Sequence, residues 1–190
     1  MKRIVLIAAI VMMAASAAHS QSQGYVCLFV DDARTSYCAA PPGAYPLLVN
    51  MQIWCLPRAD GTYCAEFMID YPDDPTVIAA TVTPDPTFTI VLGSLATGVS
   101  ACYGECKTEW TKFFTQLIVC QNANQNMISV VNHPGTGEIL MTECTGIRPT
   151  YPAVAWNNLY LNYTDGIDPE CGFTATEDKT WGAIKRMYGE

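Results

Sequence analysis

The most regular spacing of hydrophobic residues lies between residues 102 and 120, CYGECKTEWTKFFTQLIVC. Large or sulfur-containing side chains recur there at intervals of four, three, four and three residues, which is the repeat of one helix face. Glu105 and Glu109 fall in the first turns, where the helix dipole favours acidic side chains. The pattern predicts one dominant amphipathic helix at about 104–120, with a buried face formed by Cys106, Trp110, Phe113, Leu117 and Cys120.

Several shorter runs are rich in β-branched and aromatic residues and are bounded by proline or glycine, which is typical of strands or extended connectors. They are EFMIDY, TVIAATVT, FTIVLG, NMISVVN and EILMTEC, and the loop HPGTG between the last two predicts a hairpin. Near the end of the chain, Trp181, Ile184 and Tyr188 have helical spacing and predict a short C-terminal helix. The expected fold class is therefore α+β, a small disulfide-stabilised domain.

A weak internal repeat occurs early in the chain. CLFVDDARTSYCAA at 27–40 and CLPRADGTYCAE at 55–66 share Cys-Leu, a turn containing Asp and Arg, and a closing Tyr-Cys-Ala. Each unit predicts a short hairpin whose flanking cysteines lie close together. This favours the pairs Cys27–Cys38 and Cys55–Cys64, although pairing between the two units satisfies the same spacing.

The first twenty residues have the features of a signal peptide. Lys2 and Arg3 precede an apolar run, and Ala18-His19-Ser20 supplies small residues before Gln21. No later apolar run is long enough to cross a bilayer, so no membrane insertion is expected. The predicted organisation is a signal peptide at 1–20 and a single secreted, extracellular, cysteine-rich domain at 21–190.

The charge balance excludes one class of partner. The net charge is −8, and loss of Lys2 and Arg3 with the leader would make it −10. An acidic chain with so few basic residues has no electrostatic attraction for nucleic acid. Nucleic-acid binding is therefore not expected.

The cysteines indicate a disulfide framework, because an exported chain folds in an oxidising compartment. Their number is odd, so at most four bridges form within the chain and the remaining thiol could pair with another molecule. The connectivity does not follow from one sequence. The nine candidates are Cys27, Cys38, Cys55, Cys64, Cys102, Cys106, Cys120, Cys144 and Cys171.

Metal and redox sites at Cys102 and Cys106 are disfavoured. Structural zinc usually takes four Cys or His ligands in short-spaced pairs, and His133 is the single histidine after residue 20. Disulfide formation is the better interpretation, and no cofactor is expected. A continuous helix would place Cys106 and Cys120 roughly 21 Å apart, which excludes a bond between them.

Catalytic motifs are scarce. His133 lies in a Pro-Gly turn, and the sequence contains neither a nucleophile elbow nor a His-Glu-x-x-His motif. A hydrolase that uses two carboxylates stays open, because such a site needs only a suitable separation. Asp165, Asp168 and Glu170 could bind calcium, but an ordinary acidic loop explains them better.

Two local features point to the surface. Asn162-Tyr163-Thr164 is an N-glycosylation acceptor in an exported chain. Arg58 follows a proline in the Cys55–Cys64 loop, and a rigid exposed arginine of this kind could act as a protease inhibitor. Pairing of Arg58 with Asp60 in an ordinary turn is the simpler explanation.

The motif CLPRADGTYC, followed by Cys102-x-x-x-Cys106 at the start of the predicted amphipathic helix, resembles a pattern of secreted cysteine-rich proteins of fungi. The resemblance implies an extracellular or wall-associated module held by disulfides. The sequence thus predicts a non-catalytic binding or structural protein, cell-wall-associated or effector-like, whose extracellular ligand or protein partner is unknown. A protease inhibitor acting through Arg58 and a carboxylate hydrolase are the alternatives.

Overall fold

The computed structural model describes residues 23–163 and Cys171. All regular structure in residues 23–163 is β-strand. The strands are β1 (Gly24–Phe29), β2 (Cys38–Ala39), β3 (Leu47–Leu56), β4 (Thr62–Asp70), β5 (Val77–Pro84), β6 (Phe88–Ser94), β7 (Gly98–Lys107), β8 (Thr111–Cys120), β9 (Asn126–Val131), β10 (Ile139–Thr142), β11 (Thr150–Ala155) and β12 (Leu159–Leu161).

The strands form a two-layered sandwich. The first layer has the order β5-β8-β3-β1-β11, and its pairs are antiparallel except for the parallel pair β1–β11. The second layer has β6, β7 and β4 side by side, and both β9 and β10 also pair with β4. Because β10 pairs with β11 as well, it joins the two layers along one side of the sandwich. β12 lies between β2 and β9.

Aromatic rings from both layers fill the core. Phe113 of β8 lies 6.2 Å from Phe67 of β4, 5.2 Å from Phe88 of β6 and 5.0 Å from Tyr103 of β7, measured between ring centroids. Such edge-on and tilted contacts suit the quadrupoles of aromatic rings. These contacts hold β8 of the first layer against the second layer.

The predicted helix at 104–120 is wrong, and with it the α+β fold class. The segment contains the end of β7 and all of β8. Two residues obscure the alternation of polar and apolar residues that would indicate a strand in the sequence. Gln116 is polar yet buried, because its side chain accepts a hydrogen bond from the Tyr71 hydroxyl. Phe113 is an extra buried residue where the register between β3 and β8 shifts, which is a β-bulge.

The five predicted strand runs are confirmed as β4, β5, β6, β9 and β10, whereas the predicted hairpins are wrong. β9 and β10 do not pair with each other, since both pair along β4. β1 pairs with β3 and β11 rather than with β2, and β3 and β4 belong to different layers. The turn expected at Asp60-Gly61 is present, with a hydrogen bond from Gly61 N–H to the Arg58 carbonyl.

The disulfide framework is confirmed, with three bridges. They are Cys38–Cys171, Cys64–Cys102 and Cys106–Cys144. The favoured pairs Cys27–Cys38 and Cys55–Cys64 are wrong, because the two strands of each repeat unit pair with different neighbours. Cys27, Cys55 and Cys120 are free and buried, so an intermolecular bridge through any of them would require local opening.

Other predictions fall on undescribed residues. The signal peptide at 1–20, the acidic residues 165–170 and the C-terminal helix at 180–188 lie outside the described part of the chain. In the described part, no helix is long and apolar enough to span a bilayer.

Candidate functional site

Aromatic side chains gather on the outer face of the first layer. Trp54 of β3 lies opposite Cys27 of β1 and Lys112 of β8, whereas the next residue, Cys55, turns into the core. Strand alternation therefore directs the Trp54 indole outward. We call this region the aromatic surface and define it as Tyr25, Arg34, Trp54, Trp110, Lys112 and Trp156.

The rings of the aromatic surface touch in sequence. The Tyr25 and Trp156 ring centroids are 4.9 Å apart, and those of Trp156 and Trp110 are 6.4 Å apart. Trp110 also meets Phe29 of β1 at 6.2 Å. All of these contacts are edge-on, so they do not cover the rings as face-to-face stacking would. Trp156 is the most open of the three indoles, with 59% of its surface exposed.

Backbone pairing beyond the end of β11 holds Trp156 in place. The Trp156 N–H donates to the Val26 carbonyl at 3.0 Å. Next to it, the Asn157 side chain accepts from the Leu28 N–H at 2.9 Å and donates to the Leu28 carbonyl at 2.7 Å. The Asn157 side chain thus extends the hydrogen-bond ladder along β1. These bonds fix the backbone that carries the exposed Trp156 indole.

Two cations lie against the indoles. The Arg34 guanidinium carbon is 4.7 Å from the Trp54 centroid and 5.2 Å from the Trp110 centroid, within the range of cation–π attraction. The Lys112 ammonium is 5.7 Å from the Trp54 centroid and donates to the Asp32 carboxylate at 2.8 Å. Among the described residues, no carboxylate forms an ion pair with Arg34.

A tight turn after β1 sets the position of Arg34. The Asp31 carboxylate accepts from the Thr35 N–H at 2.9 Å, from the Ser36 N–H at 3.2 Å and from the Thr35 hydroxyl. Burial raises the pKa of Asp31, but these hydrogen bonds outweigh it and leave the pKa below its ordinary value. Arg34 has φ = +57°, a left-handed conformation that a non-glycine residue adopts at a cost. The carboxylate supports that conformation.

A buried thiol lies beneath this surface. Cys27 is fully buried, and its burial raises the pKa of the thiol while the charge of Arg34 opposes that shift. The thiolate is the nucleophilic form of cysteine. Cys27 is therefore part of the packing and not a reactive group.

Similar folds exist among solved structures. A cohesin module from a family 33 glycoside hydrolase of Clostridium perfringens matches with a TM-score of 0.52 and 10% identity, over 74% of this chain and 97% of that one. The chain has a cohesin-like β-sandwich fold. A type II cohesin domain from the cellulosome of Acetivibrio cellulolyticus matches with a TM-score of 0.49 and 14% identity, over 74% of this chain and 95% of that one. No family model and no curated protein matches the chain.

Arg58 lies elsewhere on the sandwich and is tied down by its neighbours. Its guanidinium carbon is 4.3 Å from the Tyr151 ring centroid, and its side chain pairs with Glu143 and, at 3.2 Å, with Asp60. Only 23% of the side chain is exposed. The Cys55–Cys64 bridge on which the inhibitor hypothesis rests is absent, because Cys64 bonds Cys102.

Asn162 is buried, and its side chain is fully engaged. Nδ2 donates to the carbonyls of Asn122 at 3.1 Å and Asn124 at 2.7 Å, and Oδ1 accepts from the Tyr45 hydroxyl at 3.1 Å. A glycan on Nδ2 would replace one of these two donated hydrogen bonds. Glycosylation at Asn162 stays a prediction.

Among the described residues, neither His133 nor a carboxylate lines the groove between β4, β9, β10 and β11. His133 lies in a turn, where its Nδ1 accepts from the Gly135 N–H. The described chain holds no group of three His, Cys, Asp or Glu side chains close enough to bind a metal ion. This shallow groove of about 540 Å³ contains no carboxylate and is lined by Met68, Val130, Val131, Asn132, Ile139, Ala153, Val154 and Ala155.

The aromatic surface is the feature that the sequence analysis missed. Its three tryptophans are more than forty residues apart in the chain. Trp110 also belonged to the face of the predicted helix, which placed it in a core. Only the β1–β3–β8 register and the β1–β11 pairing bring the indoles together.

Proposed function

We propose that this protein is an exported, non-catalytic binding protein that attaches to neutral polysaccharide of a cell wall or extracellular matrix through the aromatic surface. One observation carries the proposal: Tyr25, Trp156 and Trp110 lie in ring contact on one outer face of the sandwich, and Arg34 links Trp110 to Trp54 there. An aromatic patch left open to water is typical of an interaction site.

The chemistry of the surface suits sugar rings. A pyranose has an apolar face of C–H groups that packs against an indole, and hydroxyl groups at its rim that need hydrogen-bond partners. Trp156 offers the open ring, and elsewhere on the same surface Arg34, against Trp110, and Lys112, against Trp54, supply N–H donors. Contact with the cations and neighbouring rings restricts the indoles before binding, which reduces the entropy lost on binding.

Electrostatics favour a neutral ligand over an anionic one. The chain carries a net charge of −8, so a polyanion would be repelled at long range. Asp32 already neutralises Lys112 locally. Arg34 alone does not form the basic stripe on which polyanion binding depends.

Export is supported by the disulfides and by the predicted leader. Disulfide bonds persist in oxidising compartments and are rare in the cytosol. Six of the nine cysteines are bridged. The resemblance to secreted cysteine-rich fungal proteins agrees with a wall-associated role.

Binding can be measured by affinity electrophoresis and tryptophan fluorescence with soluble β-glucan, xyloglucan and mannan as neutral probes, and with polygalacturonate and heparin as anionic probes. We expect retardation by at least one neutral polysaccharide and none by the polyanions. Trp156→Ala should weaken binding about tenfold or more, because a central exposed aromatic side chain carries much of the binding energy in such surfaces.

Tyr63→Ala is the matched control. The Tyr63 ring also lies under a cation, with the Arg148 guanidinium carbon 4.2 Å from its centroid, but it is outside the aromatic surface. Unchanged affinity in Tyr63→Ala and lost affinity in Trp156→Ala would support the proposal. Preference for polyanions, equal affinity in the wild type and Trp156→Ala, or no binding to any neutral probe would refute it.

A further inference from the structure

The two lateral edges of the sandwich differ in how their strands are paired. On one side, the pairing of β10 with β11 carries the hydrogen-bonded ladder from one layer to the other. On the other side, among the described residues, β5 pairs with β8 alone and β6 pairs with β7 alone. Each of these two strands therefore has a free edge of backbone N–H and C=O groups that can pair with another strand.

β5 has protection against such pairing, whereas β6 has much less. The register of β5 shifts between Ala79 and Val82, and the strand ends in Pro84. Bulges and prolines are the usual means by which proteins prevent edge pairing. In β6 the register shifts only at its start, between Phe88 and Ile90, and Ile90 to Ser94 keep one register with β7, with Gly93 at φ = +79° near the end of the strand. No charged residue occurs between Phe88 and Ser94.

The free edge of β6 also exposes aliphatic side chains. Ile90, Val91 and Leu92 are 51%, 41% and 64% exposed. Ile90 and Leu92 lie opposite Cys102 and Ser100 on the outer face of the layer, and Val91 lies opposite the buried Ala101. Three consecutive exposed aliphatic residues on an uncharged edge strand favour pairing with another strand.

We propose that β6 pairs with β6 of a second copy of this chain, antiparallel and with the two-fold axis at Val91. In that register Val91 faces its own copy, Ile90 faces Leu92 of the other chain, and Thr89 faces Gly93. Apolar side chains then meet on both faces of the new strand pair, because Ile90 and Leu92 on either side of Val91 are both aliphatic. Such an isologous contact closes on itself as a dimer.

The absence of charge permits self-association at this edge, and the bulge and Pro84 of β5 disfavour the other edge, which is also uncharged. Two copies with a net charge of −8 each repel one another, so they can approach most favourably where the surface carries no charge. β6 is such a surface. Pairing there lets the outer sheet continue from one molecule into the next, without using the aromatic surface of the other layer. The inference therefore goes beyond the proposed function and does not depend on it.

Sedimentation velocity of the secreted protein over a range of concentrations tests the inference. We expect a monomer–dimer equilibrium with a micromolar dissociation constant, since pairing of one short strand buries little area. Leu92→Lys should raise that constant about tenfold or more, because the lysine would be placed against Ile90 of the other chain. Leu48→Lys is the matched control, since Leu48 of β3 is similarly exposed at 60%.

A cysteine variant tests the register without relying on the lysine variant. Directly opposed side chains in an antiparallel pair have Cβ atoms about 4.5–5.5 Å apart, near the separation that a disulfide needs. Val91→Cys should give a covalent dimer on mild oxidation, and Thr89→Cys should not, because Thr89 faces Gly93.

A wild-type protein that stays monomeric up to about 500 µM would overturn the inference. So would a dimer that Leu48→Lys weakens and Leu92→Lys does not.

Discussion

Asp74 shows how one carboxylate joins two loops. It accepts hydrogen bonds from the Thr76 hydroxyl at 2.6 Å and the Thr76 N–H at 2.9 Å, just before β5. The side-chain amides of Asn124, in the loop before β9, and Asn126, the first residue of β9, donate to it at 3.0 and 3.1 Å. These four hydrogen bonds hold the pKa of Asp74 well below its ordinary value. The group therefore stabilises the folded state in its charged form.

The direction of this pKa shift determines how the contribution of Asp74 to stability depends on pH. Because the folded-state pKa is lowered, its contribution is complete above the ordinary carboxyl pKa of about 4 and declines as the pH falls below it. Asp74→Asn should lower the melting temperature by a few degrees at pH 7, and the difference from the wild type should shrink between pH 4 and pH 2. Thermal unfolding at several pH values measures it, with Asp73→Asn as control. A difference that stays constant with pH would contradict this account.

Individual strands were predicted better than their partners. A run such as FTIVLG is a strand because its β-branched and aromatic side chains fit a pleated surface, and β6 confirms it. Pairing is a relation between distant segments, and no local pattern encodes it. The β8 segment shows the opposite failure. Gln116 and the bulged Phe113 broke the two-residue alternation, so a helical spacing was read from a strand.

Two disulfides allow an element-level prediction. Cys64–Cys102 and Cys106–Cys144 each have a sequence separation of 38 residues, although the first joins β4 directly to β7 and the second ties the end of β7 to a loop. If a disulfide acts mainly on the unfolded chain, equal loops imply equal contributions. We expect each double Cys→Ser variant to lose about 2–4 kcal/mol of unfolding free energy. Urea unfolding measures this loss. Clearly unequal losses in the two variants, or a loss outside this range, would show that contacts in the folded state determine each disulfide's contribution.

At the scale of the whole molecule, the three free thiols report on global unfolding. Cys27, Cys55 and Cys120 belong to different strands and are all buried. Burial is the main cause that raises the pKa of each thiol, which further suppresses the reactive thiolate. Alkylation should therefore be negligible in the native protein. In denaturant without reductant, mass spectrometry should find three adducts.

Reduction before alkylation should raise that number to nine. Adducts at these three positions under native conditions would contradict the burial described. Peptide mapping of the unreduced protein checks the connectivity in the same experiment.

The sequence by itself determined the composition of this molecule: an acidic chain rich in cysteine, with several short strand-forming runs and too few basic residues for a nucleic-acid surface. Those properties depend on side-chain type and local spacing. The tertiary structure decided the strand at 111–120, the disulfide partners and the meeting of Trp54, Trp110 and Trp156. Each of these depends on register between strands far apart in the chain, where burial and backbone pairing override the local pattern.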